Sequence, residues 1–117
     1  MKLATGLATL ALCVGPLLVA ALSDKEKTAL ATFNVRYHPK DHTTDMLVTE
    51  LSEYSANAGL AATKTMFDQK SYAQAGQSLS DHIASIRSDP LLQTGKQLAM
   101  PFAMLNDCVG ELRSKFK

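Results

Sequence analysis

The chain has almost no charge to spare. Twelve Lys and Arg face eleven Asp and Glu over 117 residues, a formal net charge of +1, and Lys2 near the N-terminus is the whole of the excess. Such a balance makes no electrostatic case for nucleic acid or for an anionic membrane surface as a partner. Strand signals are missing too, because no segment sustains a period-two alternation of β-branched residues. Gly95-Lys96 lacks the upstream glycine of a phosphate-binding loop. The serines around His82 (Ser78, Ser80, Ser85) lie in a helical pattern and not on the strained turn that a nucleophilic serine needs. No cofactor motif is present. These absences point to an all-α protein that is not an enzyme.

Cysteine is scarce as well, with two in the chain. Cys13 falls inside an N-terminal apolar run that reads as an export signal. Lys2 supplies the positive start, Leu3 to Leu18 are free of charge, and Gly15-Pro16 breaks the run just before the small residues Val19-Ala20-Ala21. Cleavage after Ala21 is expected, leaving residues 22–117 as a single secreted α-helical domain. An uncleaved membrane anchor over residues 3–22 is the competing reading, since that stretch is just long enough to span a bilayer.

What the chain does have is helical spacing. Ser23-Asp24-Lys25-Glu26 is a capping-box pattern, and the helix behind it presents Leu30, Phe33 and Tyr37 until Pro39 stops it at His38. A second helix starts between Asp41 and Thr44 and carries a stripe of Leu47, Leu51, Tyr54, Ala58, Ala61 and Thr65. Ser71-Tyr72-Ala73-Gln74 is a second capping-box pattern, opening a helix with Tyr72, Ala75, Leu79, Ile83 and Ile86 on one face. Asp89-Pro90 restarts the chain as cap and first helical residue. The stripe that follows, Leu91, Leu98, Phe102, Leu105, Val109, Leu112 and Phe116, stays in phase across Pro101 and predicts a helix kinked there. The expectation is a small antiparallel bundle of four helices, or five if Pro101 breaks the last.

Three sets of residues are candidates for function. His38 and His42 flank Pro39, which takes His38 off any shared helical face, so they are weak metal ligands and no metal is expected. Leu51, Tyr54 and Ala58 facing Leu98, Phe102 and Leu105 would line an apolar pocket, with small Ala58 leaving room for a lipid-like ligand. Met46, Met66, Met100 and Met104, with the four phenylalanines, suit either such a pocket or an ordinary core. Cys108 lies on the flank of the last stripe, between Leu105 and Leu112. It is either a buried core filler or the staple of an intermolecular disulfide in a homodimer.

The pentad Cys108-Val109-Gly110-Glu111-Leu112 resembles a segment of some secretoglobins, small secreted four-helix proteins that dimerise through cysteines around an apolar cavity. The paired terminal cysteines of typical members are absent here. The likeness implies an apolar ligand. The functional expectation is therefore a secreted, non-enzymatic helical protein that binds an apolar small molecule or lipid, or a partner through a helix face. The alternative from another class is a secreted effector or signalling protein acting on a host or receptor protein.

Overall fold

The computed structural model describes residues 22–33 and 42–117. The export signal, Cys13, the anchor reading, Tyr37 and His38 lie outside the described residues or depend on residues that do. Five α-helices follow one another: α1 (Asp24–Thr32), α2 (Thr44–Asn57), α3 (Ala61–Asp68), α4 (Tyr72–Ile86) and α5 (Ala99–Lys115), with a 3-10 turn at Pro90–Leu92. No strand occurs among the described residues. The all-helical class expected from the spacing is the observed one.

The first helix begins as its sequence dictates. Ser23 Oγ accepts the Glu26 amide at 3.1 Å while Glu26 Oε1 accepts the Ser23 amide at 2.8 Å, so two amides that the helix leaves unpaired are satisfied reciprocally. Thr43 caps α2 by accepting the Met46 amide at 3.1 Å. The second predicted box does not form: Ser71 is the N-cap of α4, but its side chain makes no capping bond.

The long second stripe is cut in two. Gly59 has φ +77°, and around it the Leu60 amide donates to Ser55 O at 2.9 Å and the Gly59 amide to Ala56 O at 3.2 Å. That pair of bonds is a Schellman termination, which needs a left-handed residue at its turn. The reset turns the chain about its axis, so Ala61 and Thr65 face solvent while Thr63 and Phe67 are buried. A second termination of the same form ends α3, with the Ser71 amide on Met66 O at 2.8 Å and the Lys70 amide on Phe67 O at 3.0 Å. Here the left-handed residue is Lys70, at φ 61°.

Pro101 does not kink a continuous helix. Leu91 and Leu92 belong to the short 3-10 turn, the chain then bends through Gly95 at φ +80°, and α5 begins at Ala99. Pro101 is the third residue of α5. Its missing N–H falls in the first turn, where amides have no helical partner, and the first α5 bond runs from the Phe102 amide to Leu98 O at 3.1 Å.

The helices share one core. Leu30 of α1, Leu47, Leu51 and Tyr54 of α2, Phe67 of α3, Leu79 and Ile83 of α4, and Leu105 and Leu112 of α5 belong to one buried cluster. Each such aliphatic side chain contributes about 1.5–3 kcal/mol by leaving water. Tyr72 stacks near Phe116 and Arg113 reaches Ser80, so α4 and α5 run antiparallel. Thr63 meets Ser78 while Phe67 meets Tyr72, which makes α3 and α4 antiparallel too.

Two glycines of opposite role test this account. Gly59→Ala places a Cβ at positive φ and within 3.3 Å of Lys25 Cδ, and it is expected to lower stability by about 1–2 kcal/mol. Gly110→Ala adds a methyl inside α5, where nothing lies within 4 Å, and it is expected to raise stability by about 0.5–1 kcal/mol. Urea unfolding of the two variants reads both signs.

Candidate functional site

The six residues expected to line an apolar pocket do come together, as core. Leu51, Tyr54, Ala58, Leu98 and Leu105 are buried and Phe102 packs against them half-buried. Of the four methionines, Met100 is 74% exposed, and the other three are half-buried.

A buried polar chain runs through this core that the spacing did not announce. Tyr54, 2% exposed, bonds through its hydroxyl to His82 Nε2 at 2.7 Å. On the other side of the ring, His82 Nδ1 faces Glu26 Oε2 at 3.8 Å. The carboxylate favours the proton on Nδ1, so the Tyr54 hydroxyl donates and Nε2 accepts. His82 is thus not the solvated polar-face residue that its sequence neighbours suggest. Burial holds its pKa below the ordinary value, opposed by the Glu26 charge. Burial, and then the Glu26 charge, push the Tyr54 phenol upward. A buried phenol that resists ionisation presents no nucleophile to solvent; the trio ties α1, α2 and α4 together.

Cys108 is 2% exposed and unbridged. Burial, aided by the charges of Glu111, Asp107 and Glu50, pushes its thiol up to about 12, which suppresses the thiolate that disulfide exchange requires. That placement suits a core filler. His38 lies outside the described residues. His42 Nδ1 meets Glu111 Oε1 at 2.5 Å, tying the approach to α2 onto α5. Among the described residues no three His, Cys, Asp or Glu side chains converge as a metal site would require.

The surface feature with chemical character lies between the start of α4 and the end of α5. Two adjoining concavities there, of about 420 and 530 Å³, share Ala73, Phe116 and Lys117. Tyr72 and Phe116, with ring centroids 5.1 Å apart, supply aromatic surface. Lys70, Arg113, Lys115 and Lys117 supply positive charge. Arg113 donates to Ser80 Oγ at 3.1 Å and to Gln77 Oε1 at 2.9 Å, both neutral. The contacts of 4 Å or less between basic and acidic side chains among the described residues are His42–Glu111, Lys64–Asp68 and His82–Glu26, so none of the four cations has a carboxylate partner among those residues. Small Gly76 lets the Arg113 stem lie close, since a Cβ there would come within 2.8 Å of Arg113 Cγ. The apolar spacing marked Tyr72 and Phe116 as stripe residues, but it held no sign that the turn after α3 would bring Lys70 to the same rim.

No family model matches the chain, and neither a curated protein nor a solved structure does. The likeness to secretoglobins remains one of five residues.

His82 gives the fold a pH dependence of defined sign. Its pKa is lowered on folding from the ordinary 6.5, so the unfolded chain takes up the proton first as pH falls. Its contribution is fully present above about pH 6.5 and is lost as the pH drops from there through the folded value. Urea midpoints are expected to decline over that window and to flatten there in His82→Gln. For Cys108, a chromogenic disulfide reagent at neutral pH is expected to react far more slowly with the folded protein than with protein in urea. Equal rates in the two conditions would mean that the thiol is accessible.

Proposed function

We propose that this is an exported, non-enzymatic helical domain that binds an anionic amphiphile, a single apolar chain with a carboxylate head, in the groove between the start of α4 and the end of α5. The observation that carries the reading is the set of four cations, without carboxylate partners among the described residues, around the Tyr72–Phe116 pair. Arg113 and Lys115 also complement the dipole at the end of α5; Lys70 and Lys117 have no such duty. Lys70 adds a second argument. The turn favours glycine, yet it holds a lysine at φ 61°, a conformation that costs about 1–2 kcal/mol. A charge retained at that expense suits a position that meets an anion.

The apolar-ligand expectation is thereby moved from the core to the surface. A broad protein-binding face has less behind it: Met100 is the one large hydrophobic residue strongly exposed among the described residues, and partner sites usually show contiguous apolar patches. No helix among the described residues is long and apolar enough to cross a membrane, and the anchor reading concerns residues outside them. A homodimer stapled through Cys108 would first require the thiol to leave the core.

Displacement of an environment-sensitive anionic dye by decanoate, decanol and decyltrimethylammonium tests the reading. Decanoate is expected to compete, decanol to be markedly weaker and the cation to be inert. Lys70→Gly should raise stability by about 1 kcal/mol while weakening decanoate, and Lys115→Glu with Lys117→Glu should abolish it. Equal competition by all three chains, or none by decanoate, overturns the proposal.

A further inference from the structure

The residue directly after the expected cleavage site makes an unusual contact. The backbone nitrogen of Leu22 lies 3.1 Å from Asp89 Oδ2. Both residues are buried, Leu22 at 7% and Asp89 at 6% exposure. The other carboxylate oxygen, Oδ1, accepts the Leu91 amide at 2.9 Å and so caps the 3-10 turn. Asp89 lies within 4 Å of no basic side-chain nitrogen among the described residues. A buried carboxylate held by two neutral amides lacks the cation that burial of a charge ordinarily demands.

We propose that Asp89 is the seat for a new N-terminus, the α-ammonium of Leu22 released by cleavage after Ala21. This rests on the export part of the proposed function. A signal-type peptidase and one water supply the chemistry. The Ala21–Leu22 C–N bond breaks, Ala21 departs with the leader as a carboxylate that keeps the water oxygen, and the Leu22 nitrogen takes up both protons of the water to become an ammonium. The atom that changes is the one already in contact with Asp89. A neutral N–H···O bond becomes a charge-assisted one, and the buried carboxylate acquires its counter-ion without any other group moving. Because Leu22 is buried in the folded state, the cut precedes docking, as it does when a chain is cleaved while still unfolded during export. The new end then pins the start of α1 to the turn that follows α4.

The test uses the full chain with the recognition sequence of a site-specific protease placed directly before Leu22, cut in urea and refolded beside its uncut form. Cutting is expected to raise the folding equilibrium constant about tenfold, the difference between a neutral and a charged hydrogen bond. A form cut one residue earlier, which begins at Ala21 and keeps an amide at Leu22, should behave as uncut without any change at Asp89. In Asp89→Asn, which retains an oxygen for the Leu91 cap, the gain on cutting should vanish. Acylation of the Leu22 α-amine near neutral pH should be at least about tenfold faster in that variant than in the cut wild type. Equal stability of the Leu22 and Ala21 forms, with an α-amine that reacts as fast in wild type as in Asp89→Asn, overturns the seat. Intact mass of the exported protein judges the export reading separately: a start other than Leu22 sinks the cleavage site, while the refolding comparison still decides whether Asp89 receives an ammonium.

Discussion

The hydrogen bond between the Tyr54 hydroxyl and His82 Nε2, at 2.7 Å, joins α2 to α4 in the middle of the molecule, and the neighbouring contacts depend on its being made. Tyr54 packs edge-on against Phe33, with ring centroids 5.9 Å apart, which sets the end of α1 against α2. The far side of His82 faces Glu26, and Glu26 is the residue that closes the capping box of α1 with Ser23. One carboxylate therefore serves the start of a helix with one oxygen and the buried imidazole with the other. A buried polar group left unmatched costs about 1–3 kcal/mol. The three side chains are therefore stable as a set and costly singly, which makes the relative placement of α1, α2 and α4 specific in a way that aliphatic packing alone would not.

The remaining polar contacts between helices follow the same rule at smaller scale. Thr63 and Ser78 share a hydroxyl–hydroxyl bond of 2.6 Å between α3 and α4. Buried Ser55 returns its hydroxyl to Leu51 O at 2.8 Å within α2. Each satisfies a polar group beside the aliphatic core of Leu47, Leu79, Leu105 and Leu112. Cys108 belongs with those apolar residues. Its thiol is surrounded by core and by nearby carboxylates, and both disfavour the charged form.

Much of this was legible in the residues, and the failures have specific physical causes. Period 3.6 in the apolar positions identified the helices, and Ser23 was legible as a cap; Asp89 was legible as one too, though it caps a 3-10 turn and not the long last helix. The stripe through Ala58, Ala61 and Thr65 misled because periodicity is blind to a Schellman turn, which keeps residues helical on both sides while rotating the face at Gly59. Pro101 misled for the converse reason: in-phase residues on both sides suggested continuity, although the proline occupies a first turn where its missing amide goes unnoticed. The apolar set of Leu51, Tyr54, Ala58, Leu98, Phe102 and Leu105 falls in the one buried cluster, but spacing cannot tell core residues from the lining of a pocket. His82 looked exposed because its sequence neighbours are polar, and only the fold, which lets the Tyr54 side chain of α2 reach across to α4, supplies its partner.

The two ends of α4 divide the work of the molecule. At its far end the chain turns through Asp89, whose carboxylate accepts the Leu22 and Leu91 amides and whose neighbours Ile86 and Leu92 are buried. At its near end the features that lower stability accumulate: a left-handed lysine, an N-cap without a side-chain bond, and cations without carboxylate partners among the described residues. No force of folding requires them to be together. The strain at Lys70, about 1–2 kcal/mol, is no larger than the contribution of one buried leucine. A core holding Leu47, Leu51, Leu79, Leu105 and Leu112 fully enclosed tolerates it. Stability concentrated in the middle is what permits an unoptimised rim at one end, and an unoptimised, positively charged rim beside two aromatic rings is the arrangement that an anionic, partly apolar ligand would complete.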